Sequence, residues 1–147
     1  MDKNIFTVIS DHLESNVPDL RWIDYDSGQL DIAAERPPVA LPACLIDINY
    51  PDTDYIDEEA QIVNVDISFR VAFRPTAATN SNAPVNVRAE ALSIFDTIEA
   101  MHSQLQGFTG NYQFSPLNRR SAVREKRRDG LPVYRLVYQT TFHSIKT

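Results

Sequence analysis

The sequence predicts an α+β domain, with a mostly antiparallel or mixed sheet, two packed helices and a C-terminal hairpin. Three observations carry that expectation. Apolar residues alternate at period two through Val63, Val65, Ile67, Phe69, Val71 and Phe73, the pattern of a strand with one buried face. A second apolar series, Val87, Ala91, Ile94, Phe95, Ile98, Met101 and Leu105, recurs at spacings of three and four, the pattern of an amphipathic helix. Asp129-Gly130, a dipeptide favoured in tight hairpins, separates two strand-like segments near the C-terminus. The length of 147 residues suits one domain spanning 1–147. A chain of that size typically buries roughly 70% of its unfolded surface.

The elements follow in order. Asp2 to Val17 reads as a helix with Ile5, Phe6, Ile9 and Leu13 on one face; Asp2 is its expected N-cap, and Pro18 stops it. Leu20, Trp22, Ile23 and Tyr25 suggest a short strand before an Asp26-Ser27-Gly28 turn. Arg36-Pro37-Pro38 and Pro42 form a stiff extended connector. Ala43 to Tyr50 is apolar enough for a strand buried on nearly both faces, and Pro51 to Glu59 reads as an acidic loop. The alternating strand runs from Ile62 to Arg74, its apolar face expected under Phe95, Ile98 and Leu105. Pro75 to Pro84 reads as an exposed, mobile connector. Gly107 closes the second helix, Leu117 to Arg128 leads into the hairpin turn, and Tyr134 to Phe142 alternates on the return strand.

Composition excludes several classes. Hydrophobic residues make up 43% and charged residues 23%, too apolar for a disordered chain. No apolar stretch is long enough to span a membrane, and no basic-then-apolar leader is visible. Cys44 is the single cysteine, so no intramolecular disulfide can form and a reducing cytosol is expected. With Cys44 inside an apolar run, an inert thiol is the simpler reading. The run Asp47 to Asp52 superficially suggests a calcium loop, and Glu58 lands at the twelfth position. Asp52, however, stands where the sixth-position glycine is needed. Asp52 with Glu58 or Glu59 hints at a metal-dependent nuclease but lacks an acid-x-Lys triplet. His12, His102 and His143 share no ligand spacing with the cysteine. Neither a nucleophile elbow nor a phosphate-binding glycine loop occurs. The expectation is therefore no catalytic, cofactor or metal site.

Charge distribution is more informative than the net value of −6. Between Arg36 and Arg70 there is no basic residue but seven acids: Asp47, Asp52, Asp54, Asp57, Glu58, Glu59 and Asp66. From Arg119 to Arg128 there are six basic residues, Arg119, Arg120, Arg124, Lys126, Arg127 and Arg128, against one acid, Glu125. The basic segment can be read as a nucleic-acid patch, although it lacks aromatic side chains for base stacking. Alternatively it is a solvated hairpin tip. A third reading makes it an interface complementary to a neighbour's acidic segment, Asp52, Asp54, Asp57, Glu58 and Glu59.

Across almost its whole length the chain resembles the bacteriophage tail terminator, or tail-completion, family. The resemblance rests on the N-terminal helix, on Pro42-Ala43-Cys44-Leu45-Ile46-Asp47, and on the alternating strand from Val63 to Phe73. It continues through the helix from Val87 to Leu105 with its closing Leu105-Gln106-Gly107, and ends with the strand Leu131 to Phe142. These are patterns of element and hydrophobicity, not a chemical signature. The resemblance implies a non-catalytic virion subunit, made in the host cytoplasm, that closes into a homo-oligomeric ring, usually a hexamer. Such a ring caps the tail tube, stops its polymerisation and meets the head connector protein, with nucleic acid only passing through. Another neck, head–tail joining or baseplate subunit, and a nucleic-acid-binding protein using the basic hairpin, are the alternatives.

Overall fold

The structure, a computed structural model, describes residues 2–32, 37–75 and 79–146. In chain order the elements are α1 (Asp2–Asn16), β1 (Trp22–Tyr25), a 3-10 turn (Gln29–Asp31), β2 (Ala43–Tyr55), β3 (Ala60–Ala72), α2 (Val85–Leu105), β4 (Asn118–Arg124) and β5 (Val133–Ile145). The strands form one sheet in the order β1-β2-β3-β5-β4. β1 runs parallel to β2 and the other pairs are antiparallel. This is the mixed sheet with two helices that the periodicities predict, and β4 and β5 make the C-terminal hairpin, although β4 stops at Arg124 and residues 125–132 join it to β5 in place of the expected tight Asp129-Gly130 turn.

Strand alternation sorts the sheet into two faces. On one face Cys44, Ile46 and Ile48 of β2 lie beside Val71, Phe69 and Ile67 of β3. On the same face Phe69 and Ile67 lie beside Leu136 and Tyr138 of β5. Both helices cover this face, α1 through Ile5, Ile9 and Leu13, and α2 through Ile94, Met101 and Leu105. The opposite face carries Leu45, Arg70 and Arg135 in register. One half of it is roofed by the β1–β2 connection and the β4–β5 loop, which bury Leu30, Leu45, Ala72, Leu131 and Val133 in a second, smaller cluster.

Three expectations need correction. The acidic stretch from Pro51 is not a loop: β2 continues to Tyr55 and pairs with β3 as far as Gln61. Pro51 is tolerated because the ladder shifts register between Asn49 and Asp52, and β1 ends opposite Ile46, so no partner on that side needs its N–H. Second, Phe95 does not cover the strand face. α2 buries Ala91, Ile94, Thr97, Met101 and Leu105, leaving Phe95 54% exposed, while α1 supplies the rest of the cover. Third, the alternating strand begins at Ala60 and ends at Ala72 rather than Arg74. The N-cap side chain expected of Asp2, Arg36 of the proline connector, and residues 76–78 of the connector before α2 lie outside the described residues.

Gly107 does close α2: it sits at φ +81°, and its N–H donates to the Leu117 carbonyl, turning the chain back toward β4.

Candidate assembly surface

Register fixes where each charged segment goes. Ala43, Ala72 and Val133 align at one end of the sheet, and Asp54, Ile62 and His143 align at the other. At the second end β2, β3 and β5 run on as a three-stranded arm, because β1 stops opposite Ile46 and β4 begins opposite Gln139. Asp52, Asp54, Asp57, Glu58 and Glu59 are all exposed on this arm. Its tip is fixed by a β-turn-like closure: the Ile56 and Asp57 N–H groups donate to the Ala60 carbonyl, and the Glu59 N–H donates to Asp57 Oδ1 at 2.8 Å. Exposed Tyr55 and Ile56 stand beside these carboxylates.

The other end is basic. Arg124 closes β4, and Lys126 and Arg128 follow it in the loop to β5, all three exposed. Arg21, immediately before β1, and Arg74, just beyond β3, are exposed at the same end. These two were missed in the sequence because they are isolated along the chain; only strand register gathers them.

The basic segment itself is divided. Arg127 faces inward: it donates to Asp129 through Nε at 3.0 Å and Nη2 at 2.7 Å, and also to the Leu30 carbonyl. It is therefore not part of the free surface expected of it. Arg120 donates to Gln139 Oε1 at 2.7 Å across the register shift in β4. Arg124 lies over the Tyr134 ring, 5.9 Å from its centroid. Arg119 sits opposite Tyr138, whose hydroxyl is 2.7 Å from His102 Nδ1. Burial pushes the Tyr138 pKa up to about 12, and burial together with the Arg119 charge holds His102 below its usual value. That pair is a packed core contact, not an acid–base dyad aimed at a cavity.

Arg70 is the feature sequence reading passed over. It stands on the roofed face, 9% exposed. Nη1 and Nη2 donate to Asp31 at 2.9 and 3.1 Å, and Nε and Nη2 donate to Glu125 at 3.1 and 2.9 Å. Asp26 lies 3.6 Å away. One guanidinium thus ties the β1–β2 connection and the β4–β5 loop to the middle strand, with the two-point geometry for which arginine is suited. Burial disfavours its charge, but the hydrogen bonds to Asp31 and Glu125 outweigh that and hold its pKa above the usual value. The hydrogen bonds from Arg70 in turn hold Asp31 below the usual carboxylate range.

Cys44 is fully buried and burial pushes its thiol pKa up. Among the described residues, no group of three or more His, Cys, Asp or Glu side chains is placed to hold a metal ion. An open groove of about 540 Å³ runs along the unroofed half-face past Asp52, Asn64, Asp66 and Gln139. Its side chains already bond one another, Asn64 donating to Asp52 at 2.7 Å. Among the described residues no helix is long and apolar enough to cross a membrane.

Fold and surface together define an α+β protein whose sheet ends in a mainly acidic arm, with Lys146 also at its tip. Along the width of the other end it carries Arg21, Arg74, Arg124, Lys126 and Arg128, and Glu90 and Asp129 are exposed there too. No family model matches this chain, and no curated protein matches it in sequence.

Proposed function

We propose that the protein is a structural subunit of a phage tail that closes into a ring, caps the tail tube to stop its growth, and joins the tail to the head connector. The observation that carries this reading is the placement of opposite charges at opposite ends of one sheet. Complementary patches on different parts of one subunit favour a heterologous, head-to-tail contact, which closes into a ring when the rotation allows. Exposed ion pairs contribute only about 0–1 kcal/mol each, so charge sets orientation and speed of association while apolar burial supplies most of the affinity. The resemblance in element order and hydrophobic pattern adds the tail context.

Deleting the coding sequence from the virus that carries it tests the function. Electron microscopy should show overlong tails lacking heads, and tails of normal length joined to heads would overturn the reading. Sedimentation of the purified protein tests the charge contact. Self-association should weaken as salt shortens the Debye length from about 10 Å at 0.1 M to about 3 Å at 1 M. Arg124→Glu with Arg128→Glu should impair it, and Glu58→Lys with Glu59→Lys in the partner should restore part of it. Arg127 is unsuitable for reversal because its side chain is held inside the subunit.

A further inference from the structure

The charged ends leave an apolar question open, since ion pairs alone do not hold subunits together. Two exposed aromatic features answer it. On α2, Phe95 projects beyond the core-facing row, 54% exposed, with Leu92 one turn before it also exposed. Its ring meets Tyr134 edge-on at 6.3 Å, and Tyr134 meets buried Phe73 edge-on at 6.4 Å. Arg124 lies on the same Tyr134 ring. The result is an aromatic shelf with a guanidinium at its margin, at the basic end of the sheet. At the acidic end, Tyr55 is 76% and Ile56 46% exposed at the arm tip, with Asp54 and Asp57 flanking them.

We propose that Tyr55 and Ile56 of one copy seat against Phe95 and Tyr134 of the next, with Asp54 or Asp57 facing Arg124. This rests on the self-assembly reading above and names its anchor. The tip and the shelf lie at opposite ends of the same sheet, so one molecule cannot close the contact on itself. Complementarity selects a second copy as occupant: the shelf offers an aromatic surface and a cation side by side, and the tip offers an apolar pair and carboxylates side by side. The turn at the tip is already fixed by its own hydrogen bonds, which lowers the entropy lost on docking. A polynucleotide fits less well, because exposed Asp96 and Glu99 flank Phe95 on α2 and repel a chain charged at every phosphate. The docked tip meets the same two acids, so its seating depends on Asp54 or Asp57 reaching Arg124.

The experiment joins the two surfaces covalently. Cys44 is buried, so cysteines introduced beside the anchors as Thr53→Cys and Glu99→Cys, both at exposed positions, are the accessible thiols. Treated with a short bis-maleimide, a mixture of the two variants should give a covalent dimer, and the double variant a ladder of multimers. Thr53→Cys alone giving as much dimer as the mixture would mean a symmetric contact and overturn the proposal. In sedimentation, Phe95→Ala and Tyr55→Ala should each weaken self-association at least about tenfold, as expected of an aromatic anchor, with melting temperature nearly unchanged. Self-association that is unaltered by both substitutions overturns the shelf but leaves the ring and its tail-length test standing. A protein that stays monomeric at every concentration overturns the self-contact. Binding of a labelled oligothymidylate that Phe95→Ala abolishes, with self-association intact, would make the shelf a nucleic-acid platform instead. Normal tails with an intact cross-link would remove the tail role while keeping the contact.

Discussion

Replacing Arg70 with alanine should destabilise the protein by about 2–3 kcal/mol. Removing one member of a buried ion pair typically costs about 3–5 kcal/mol, because the partner charge is left without compensation. Here the figure is reduced, since the Asp31 side chain is 58% and the Glu125 side chain 23% exposed, and water can resolvate both. The loss still exceeds that of a surface pair, because Asp26, Asp31 and Glu125 would be left converging on an empty, largely dry position. Urea unfolding at neutral pH reads the change directly, and for a domain of this size it corresponds to a drop in melting temperature of about 4–12 °C. Hydrogen exchange should locate the effect, with protection lost first in the β1–β2 connection and the β4–β5 loop. Arg70→Met combined with Asp26→Asn, Asp31→Asn and Glu125→Gln should recover a substantial part of the stability, since none of the three carboxylates is then left charged without its cation. A loss below about 0.5 kcal/mol for Arg70→Ala would show that the guanidinium is not what holds the two loops down.

Phe69→Ala should cost about 3–5 kcal/mol, since Phe69 is fully buried between the helices and Tyr138, whereas half-exposed Phe95→Ala should cost under about 1 kcal/mol; equal losses in thermal unfolding would contradict the orientation of α2. The hydrogen bonds that lower Asp31 and Asp129 stabilise the fold above the ordinary carboxylate pKa and are lost as pH falls through the depressed folded values. The urea midpoint should therefore decline below about pH 4, with a shallower decline in Asp31→Asn. A separate earlier fall begins near pH 6.5, because His102, held below its usual value in the fold, takes up its proton more readily in the unfolded chain. An identical slope below about pH 4 in Asp31→Asn would remove Asp31 as a contributor.

Long-range periodicity made β3, α2 and β5 legible, because each buries one continuous stripe against a large core, whereas β4, exposed along nearly its whole length, carried no such signal. Within α2 the period was clear but its phase was not. Thr97 takes a buried place by turning its hydroxyl toward the Ser93 carbonyl, and Phe95 is displaced to the surface. Sequence hydrophobicity ranks those two residues the wrong way round. The arm was hidden by Pro51 and its acids, which read as a loop unless one knows that β1 is too short to need that edge. Arg70 lies on the polar side of an alternating strand, and its burial depends on loops distant in sequence. The residues of the proposed contact divide in the same way. The acidic cluster is contiguous and was visible, but Arg21, Arg74 and the Phe95–Tyr134 shelf exist only once strands are in register.

The brevity of β1 has a further consequence. Among the described residues no strand pairs with the outer side of β2 beyond Ile46, so part of that edge faces outward. Bare edges of this kind invite indiscriminate strand addition and fibrous aggregates. Here the edge is interrupted by Pro51 and a register shift and studded with Asp52 and Asp54, so two identical edges meeting in parallel or antiparallel would bring carboxylate against carboxylate. The acids of the arm thus oppose edge-to-edge pairing of two copies by mutual repulsion.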